Sequence, residues 1–299
     1  MSLNQSHNIT GQDLDNWYQQ AIIDAIANQI SNSEVDWLLQ AITCLSSLEL
    51  RLRTFASKSQ IKSNKSLSEL EQLWQQRLQK RLPVQYLLET VFWRRFQLRV
   101  TPSVLIPRPE TELMIDIAQE HCRISSIPQH WVDLGTGSGA IALGLAEVFP
   151  DALIHGVDLS DAALAIAREN AASYQLEGRI SFYQGSWWSP LKSYQSMITG
   201  MLANPPYIPS GQIQGLQPEV AQHEPRLALD GGTDGLDEIR HLIETAPQYL
   251  VADGMWLIEL MVGQAESVTE LLRQQGEYAD IQVLKDLNGI ERFVMAFKK

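Results

Sequence analysis

The residues best suited to chemistry form the tetrapeptide Asn204-Pro205-Pro206-Tyr207, which follows an apolar stretch at 198–203. The side-chain oxygen of Asn204 and the backbone carbonyl of Pro205 are hydrogen-bond acceptors, and Pro206 stiffens the turn. Two acceptors placed against the N–H bonds of a planar nitrogen would orient it and favour positive charge on it. We therefore expect Asn204, Pro205 and Tyr207 to be catalytic. We expect the whole tetrapeptide to bind the acceptor, with the ring of Tyr207 packing on it.

The tetrapeptide alone does not identify the acceptor. Glutamine amides, adenine N6 and cytosine N4 all present a planar nitrogen, whose delocalised lone pair attacks a sulfonium methyl group poorly. A rigid loop without chemistry is the alternative. It is disfavoured because the tetrapeptide ends a strand candidate, and open α/β sheets bind ligands at the carboxyl ends of their strands.

A glycine-rich loop earlier in the chain predicts a cofactor site. The strand candidate 130–134 runs into this loop and a helix follows, so the glycines permit a sharp turn and the helix offers unpaired N–H groups. Asp158 ends the next strand candidate, where a carboxylate can accept hydrogen bonds from both hydroxyls of a ribose. Trp187 follows the third, where an adenine can stack. The cofactor-binding candidates are Gly135, Thr136, Gly137, Ser138, Gly139, Asp158, Trp187 and Asn204.

Each of these features also has an alternative interpretation. If Ala140 counts as the third small residue, the loop nearly satisfies the fingerprint of dinucleotide-binding proteins, so NAD binding stays open on this motif alone. Surface packing is the alternative for Trp187. Asp133 is either a residue that supports the cofactor loop or a structural acid that faces the helix. The histidines, including His223, show no triad and no metal-ligand spacing, and we expect no bound metal.

Residues 1–90 are predicted to form a small helical bundle, because apolar side chains recur there at helical spacing. The polar segment 58–66 predicts a loop between helices. Helical stretches cover 14–26, 36–45, 48–55 and 67–78.

A β-hairpin linker is predicted over 91–107. Apolar and polar residues alternate from Phe96 to Val100, the segment 101–103 predicts a turn, and 104–106 is a second apolar run. A helix is then expected to begin near Pro107, since proline and acidic residues suit a first helical turn.

Residues 108–299 are predicted to form an α/β domain with a Rossmann-like fold. Strand and helix candidates alternate, which indicates a mostly parallel sheet with helices on both faces. The last two strands, joined by 286–289, predict an antiparallel terminal pair. The strand candidates are 130–134, 153–158, 180–184, 198–203, 254–260, 281–284 and 293–297, and the clearest helices are 139–148, 161–173 and 235–250.

The composition narrows the class of partner. The 299 residues carry a net charge of −12, and the excess of acid lies after residue 90, which disfavours a duplex DNA partner. No apolar run is long enough to span a bilayer, Met1–Gly11 lacks the pattern of a signal peptide, and Cys44 and Cys122 make no disulfide framework. We expect a cytoplasmic monomer without membrane or nucleic-acid partners. The one local basic cluster comprises Arg94, Arg95, Arg99 and Arg108.

From Pro83 onward the chain resembles the PrmC/HemK family of glutamine N5-methyltransferases, which modify peptide chain release factors. The helical N-terminus matches that family only in type. Two departures, near Glu89 and over Met261–Gly263, replace or displace glycines that are usual in the family. The matching motifs are Pro83-Val84-Gln85-Tyr86, Leu105-Ile106-Pro107-Arg108-Pro109-Glu110-Thr111-Glu112, Asp133-Leu134-Gly135-Thr136-Gly137-Ser138-Gly139, Asn204-Pro205-Pro206-Tyr207-Ile208-Pro209, Glu219-Val220, Glu224-Pro225 and Gly232-Thr233-Asp234-Gly235-Leu236.

The resemblance implies a class I methyltransferase domain over 108–299, with S-adenosyl-L-methionine as methyl donor and S-adenosyl-L-homocysteine as product. It implies that the glycine loop lines the cofactor, that Asp158 holds its ribose and that Trp187 lies by the adenine.

The resemblance also implies the acceptor, which is the glutamine of a Gly-Gly-Gln loop in a release factor. Asn204 and the Pro205 carbonyl would hold its amide, Tyr207 would pack on it, and the helical domain would contact the release factor. A glutamine of a ribosomal protein, an adenine N6 of DNA and a binding module without catalysis remain as alternatives. The intact Asn204 argues against the last.

Overall fold

The computed structural model describes residues 7–124 and 128–299, so the first six residues of the polar segment Met1–Gly11 lie outside the described residues. The chain divides into two compact units, one that ends at Glu89 and one that begins at Thr90. In the described part of the chain, no helix has both the length and the apolar character needed to cross a membrane.

The N-terminal unit consists mainly of helices, as the apolar spacing predicts. Side-chain caps define where the helices begin, since Ser46 and Ser66 each form a capping box with the glutamate three residues later. The interior is closed by aromatic residues, and Trp17 and Trp74 meet edge to face. The elements are β1 His7–Ile9, α1 Gly11–Ala27, α2 Asn32–Ile42, α3 Ser47–Leu52, β2 Ile61–Ser63, α4 Leu67–Lys80 and α5 Val84–Leu87.

The prediction of a plain loop over 58–66 is wrong, because this segment contains β2. Strand β2 pairs antiparallel with β1, and its Ile61 and Ser63 are buried while Lys62 is exposed. A three-residue alternation inside a polar segment is too short to stand out in the sequence.

The predicted hairpin exists and its strand from Phe96 is confirmed, but the second strand lies before it and not at 104–106. Strand β3 (Thr90–Trp93) pairs antiparallel with β4 (Phe96–Arg99), and the left-handed Arg94 lies in the turn between them. No strand forms over 104–106. Pairing with Thr90–Trp93 buries Trp93 and Phe96 together in the core of the unit that begins at Thr90, whereas Val104 is buried at the cavity described below.

The C-terminal unit is built on a seven-stranded sheet of order β10-β11-β9-β8-β5-β6-β7. The pairs among β9, β8, β5, β6 and β7 are parallel, and β11 runs antiparallel to both β9 and β10, which confirms the predicted fold class. Its elements are α6 Leu113–His121, β5 His130–Leu134, α7 Ala140–Val148, β6 Leu153–Asp158, α8 Asp161–Ser173, β7 Ile180–Gln184, β8 Ile198–Ala203, α9 Pro218–His223, α10 Asp237–Thr245, β9 Leu250–Glu259, α11 Ala265–Gln275, β10 Tyr278–Lys285 and β11 Glu291–Lys298.

The largest shifts of predicted boundaries in this unit occur at α10 and β9. The helix predicted over 235–250 ends at Thr245, where a 3₁₀ turn containing Pro247 follows, because proline disrupts a helix interior. Strand β9 begins at Leu250, four residues before the predicted strand.

The strand order brings the candidate site together. Strand β5 lies between β6 and β8, so the glycine loop after β5 lies between Asp158 at the end of β6 and Asn204 after β8. Ala203 pairs with Ile258, which places the end of β9 beside Asn204. This edge of the sheet, where the carboxyl strand ends meet, is the expected position for a ligand.

A pair of buried histidines lies elsewhere in the sheet. His130 begins β5 and stacks on His155 of β6, with 2.9 Å between His130 Nδ1 and His155 Nε2. His155 also faces the hydroxyl of Tyr183 at 3.3 Å, and Tyr194 packs against both imidazoles. Burial lowers the pKa of both imidazoles, and it lowers that of His155 to about 4.

We expect acid to destabilise the protein through His155. Between the ordinary pKa of 6.5 and about 4, the unfolded chain binds a proton that the folded protein rejects. The free energy of unfolding should therefore fall over this range, by up to about 3 kcal/mol for His155. Urea denaturation at stepwise lower pH measures it. His155→Gln should show a shallower fall than the wild type, whereas His241→Gln, which changes an exposed histidine, should not. Equal slopes for His155→Gln and wild type would contradict the expectation.

Candidate active site

A cavity of about 280 Å³ opens at the carboxyl ends of β5, β6 and β8. This volume is close to the lower end of the usual range for small-molecule sites, roughly 300–1,000 Å³. Eight of the sequence-predicted residues line it together, whereas Gly139, Pro205 and Tyr207 lie outside the lining. The eight are Gly135, Thr136, Gly137, Ser138, Asp158, Trp187, Asn204 and Pro206.

Asp133 holds the glycine loop against the start of α7. Its buried carboxylate accepts from Thr136 Oγ1 at 2.5 Å and from the backbone N–H of Ala142 at 3.0 Å. Burial raises the pKa of Asp133 to about 7. Asp133 does not line the cavity, so it supports the loop and faces the helix, which unites the two interpretations left open by the sequence.

Asp158 joins the glycine loop to the end of β6. One carboxylate oxygen accepts from the N–H of Gly137 at 2.8 Å, and the other accepts from the N–H of Ser160 at 2.8 Å. Burial raises the pKa of this carboxyl, and the backbone hydrogen bonds oppose the rise. Gly137 has φ near +52°, and a side-chain carbon there would meet nothing within 4 Å, so its backbone faces open space.

Trp187 forms a flat wall beside the glycine loop. A side-chain carbon at Gly135 would lie 3.5 Å from its ring. The indole Nε1 donates to Glu238 at 2.6 Å, and the backbone of Trp187 is left-handed, with φ near +49°. The hydrogen bond and the packing of the ring on the core hold this unfavourable backbone conformation in place.

The tetrapeptide Asn204–Tyr207 is held in place by one carboxylate. Glu259, which ends β9 and is 1% exposed, accepts from Thr111 Oγ1 at 2.5 Å and from the Tyr207 hydroxyl at 3.2 Å. Asn204 Nδ2 donates to Thr111 Oγ1 at 3.4 Å. Burial raises the pKa of Glu259, an effect that these hydrogen bonds and the positive charge of Arg292 oppose.

The backbone of the tetrapeptide is held by a second group of contacts. Gln264 Nε2 donates to the carbonyl of Tyr207 at 3.0 Å and to that of Gly235 at 3.3 Å. A side-chain carbon at Gly231 would lie 2.6 Å from the carbonyl oxygen of Pro206, so only glycine lets the two segments approach this closely.

The outer wall of the cavity joins two of the motif segments. Leu105 and Pro107 line one part of the cavity, and Pro225 and Leu227 line another. Arg108 Nη2 lies 2.7 Å from an oxygen of Glu224, whose side chain is almost fully buried, so an ion pair fastens the segments to each other.

Glu259, Gln264 and Glu238 were not predicted as site residues. The signal available for Glu259 was an acid at the end of the apolar run Trp256–Ile258, on a strand candidate. For Glu238 and Gln264 the sequence offers no comparable signal. Among the described residues, no group of three His, Cys, Asp or Glu side chains is arranged to hold a metal ion.

Known proteins resemble this chain over almost its whole length. Residues 129–218 match the sequence model of a methyltransferase domain family. A release factor glutamine methyltransferase from Synechocystis sp. is 52% identical over 96% of this chain and 97% of its own length. One from Thermosynechococcus vestitus is 45% identical over 96% of this chain and 99% of its own length.

The chain belongs to the release factor glutamine methyltransferase family. Among solved structures, the hMettl16 catalytic domain, crystallised with the MAT2A 3'UTR hairpin 6, matches with a TM-score of 0.56 and 15% identity over 68% of this chain and 75% of its own length. At that identity, the match shows a shared methyltransferase fold and nothing more.

The two departures from the motifs of the release factor glutamine methyltransferase family both occur at left-handed positions. Glu89, near the position where the family has a glycine, keeps φ near +50°, a conformation that favours glycine. After β9, Gly263 has φ near +92° and supplies the left-handed residue two positions after Met261.

We expect Asp158→Asn to weaken cofactor binding by at least ~10-fold, equivalent to about 1.4 kcal/mol. Both oxygens of Asp158 accept from backbone N–H groups, so an amide NH₂ would face one of those donors and disturb the loop. Calorimetric titration with S-adenosylhomocysteine measures the change. Asp161→Asn is the matched control, because it removes the same charge from an exposed position three residues later. Equal affinities for both variants would contradict the role of Asp158.

Proposed function

We propose that this protein transfers a methyl group from S-adenosylmethionine to the side-chain amide nitrogen, N5, of the glutamine in the Gly-Gly-Gln loop of peptide chain release factors. The observation that carries the proposal is that Asn204, with its amide nitrogen turned toward Thr111, shares one cavity with the glycine loop and Asp158. Sequence identity of 45% and 52%, over 96% of this chain, to two release factor glutamine methyltransferases supports the choice of acceptor.

The residues around the cavity fit S-adenosylmethionine. Asp158 would accept from its ribose hydroxyls, the open backbone of the loop at Gly137 would leave room for the cofactor, and Trp187 would stack on the adenine. When bound, the cofactor supplies a methyl group on a positively charged sulfur, so the protein does not need to activate the donor.

The protein's own contribution is to orient the acceptor nitrogen. The Asn204 oxygen and the Pro205 carbonyl would each accept a hydrogen bond from one N–H of the glutamine amide. Together they would direct the lone pair of its nitrogen toward the methyl group. Both acceptors also stabilise the positive charge that develops on nitrogen, because their dipoles are fixed before the reaction. The methylated amide is acidic enough to lose its proton to water.

The remaining assignments complete the proposal. The helical unit that ends at Glu89 would recognise the release factor, and the enzyme would act as a cytoplasmic monomer on protein and not on nucleic acid. The net charge of −12 supports a protein partner over duplex DNA.

A labelled-methyl assay tests the acceptor. The wild type should transfer label from S-adenosylmethionine to a purified release factor, and not to the same factor with Glu in place of the Gln in its Gly-Gly-Gln loop. Ribosomal proteins and duplex DNA serve as competing acceptors. Label on either of these with none on the release factor would overturn the proposal.

We expect Asn204→Ala to lower kcat by roughly 10²-fold or more, as for the loss of one preorganised polar group. Affinity for S-adenosylhomocysteine and the unfolding temperature serve as controls for the fold. Unchanged transfer by this variant would show that the mechanism assigned to Asn204 is wrong.

A further inference from the structure

A chain of three hydrogen-bonding groups leads from a buried carboxylate to the acceptor site. Glu259 accepts from the Thr111 hydroxyl at 2.5 Å, and Thr111 Oγ1 accepts from Asn204 Nδ2 at 3.4 Å. The other oxygen of Glu259 accepts from the Tyr207 hydroxyl at 3.2 Å. Glu259, Thr111 and Asn204 come from three separate segments of the chain, and the first two are buried.

The number of available donor hydrogens fixes the direction of these hydrogen bonds. A carboxylate only accepts hydrogen bonds, and a threonine hydroxyl has a single hydrogen to donate. Because that hydrogen goes to Glu259, Thr111 can only accept from its other neighbour. Asn204 must therefore present its NH₂ group to Thr111, and its oxygen is left on the opposite side of the amide.

We propose that Glu259, acting through Thr111, is a positioning residue that determines which way the Asn204 amide faces and so keeps its oxygen available to the N–H of the acceptor. This inference rests on the proposed function, since it concerns an acceptor that is itself an N–H donor. A flipped Asn204 would oppose donor to donor at the point of transfer.

Glu259→Gln should reverse the direction of these hydrogen bonds. The glutamine can donate from its amide nitrogen either to Thr111 or to Tyr207. Only the first choice leaves its oxygen to accept from the Tyr207 hydroxyl, whose hydrogen would otherwise face the glutamine NH₂ and have no acceptor there. Thr111 would then donate to Asn204, whose oxygen would turn away from the acceptor.

Thr111→Val should remove the hydrogen bonds between Glu259 and Asn204 without reversing their direction. Asn204 would be free to take either orientation, and an evenly divided population costs only about a factor of two. Thr111→Ser retains the hydroxyl and is the conservative control.

The test compares kcat for methyl transfer to the acceptor that the wild type uses. We expect kcat to fall on the order of 10²-fold in Glu259→Gln, roughly 2- to 5-fold in Thr111→Val and by less than about 2-fold in Thr111→Ser. The double variant Glu259→Gln/Thr111→Val should recover to about the level of Thr111→Val alone. A merely structural role predicts no such recovery, and a double variant that is no faster than Glu259→Gln would overturn the inference.

Binding of S-adenosylhomocysteine and the unfolding temperature separate orientation from folding. Binding should stay close to the wild type, and the unfolding temperature should fall where Glu259 loses the Thr111 donor but stay above the assay temperature. If Glu259→Gln folds and keeps its kcat, or if the double variant is slower than either single variant, the inference is overturned. If Glu259→Gln does not fold, the comparison of Thr111→Val with Thr111→Ser decides. Equal kcat for the two would exclude a role of the Thr111 hydroxyl in orienting Asn204. Absence of transfer by the wild type would instead refute the proposed function.

Discussion

The parallel register of β6, β5, β8 and β9 is the constraint on which the candidate site depends. It brings four carboxyl strand ends to one edge of the sheet, so that the glycine loop, Asp158, Asn204 and Glu259 become neighbours. Core packing fixes this register, since a side-chain carbon at Gly200 would lie 2.4 Å from the ring of the adjacent Trp131. Slipping β8 by one residue would turn its side chains to the opposite faces and separate Asn204 from the glycine loop.

Buried carboxylates convert this arrangement of strands into a rigid site. Burying a charged group costs free energy unless N–H or O–H donors compensate, and Asp133, Glu259 and Glu224 are all buried. Each accepts from donors on another segment: the helix start for Asp133, two motif segments for Glu259, and Arg108 for Glu224. Apolar residues could fill these positions at less cost, but they could not set the direction of a hydrogen bond.

The sequence was informative where the determining contacts are local. The glycine loop between a strand and a helix, and the acid ending the next strand, follow from periodicity and turn chemistry, and the family was recognisable from these motifs. The hairpin strand 96–99 was given the wrong partner although Thr90–Trp93 lies just before it, because burial along 90–93 does not alternate. Pairing over long separations was not accessible at all. The link from Glu259 to Thr111 spans 148 residues, a separation that no spacing rule covers. The binding roles of the site residues remain predictions.

The turn after β9 illustrates how the site tolerates a change in the family motif. Near Met261, where a glycine is usual in the family, Gln264 accepts from the backbone N–H of Met261 at 2.9 Å, and Gly263 supplies the left-handed residue. The same side chain donates to the carbonyl of Tyr207. The turn is therefore held by Gln264 and not by a glycine at one fixed position. Because its amide hydrogen-bonds to both Met261 and Tyr207, Gln264 couples this turn to the tetrapeptide, alongside Glu259 at the end of β9.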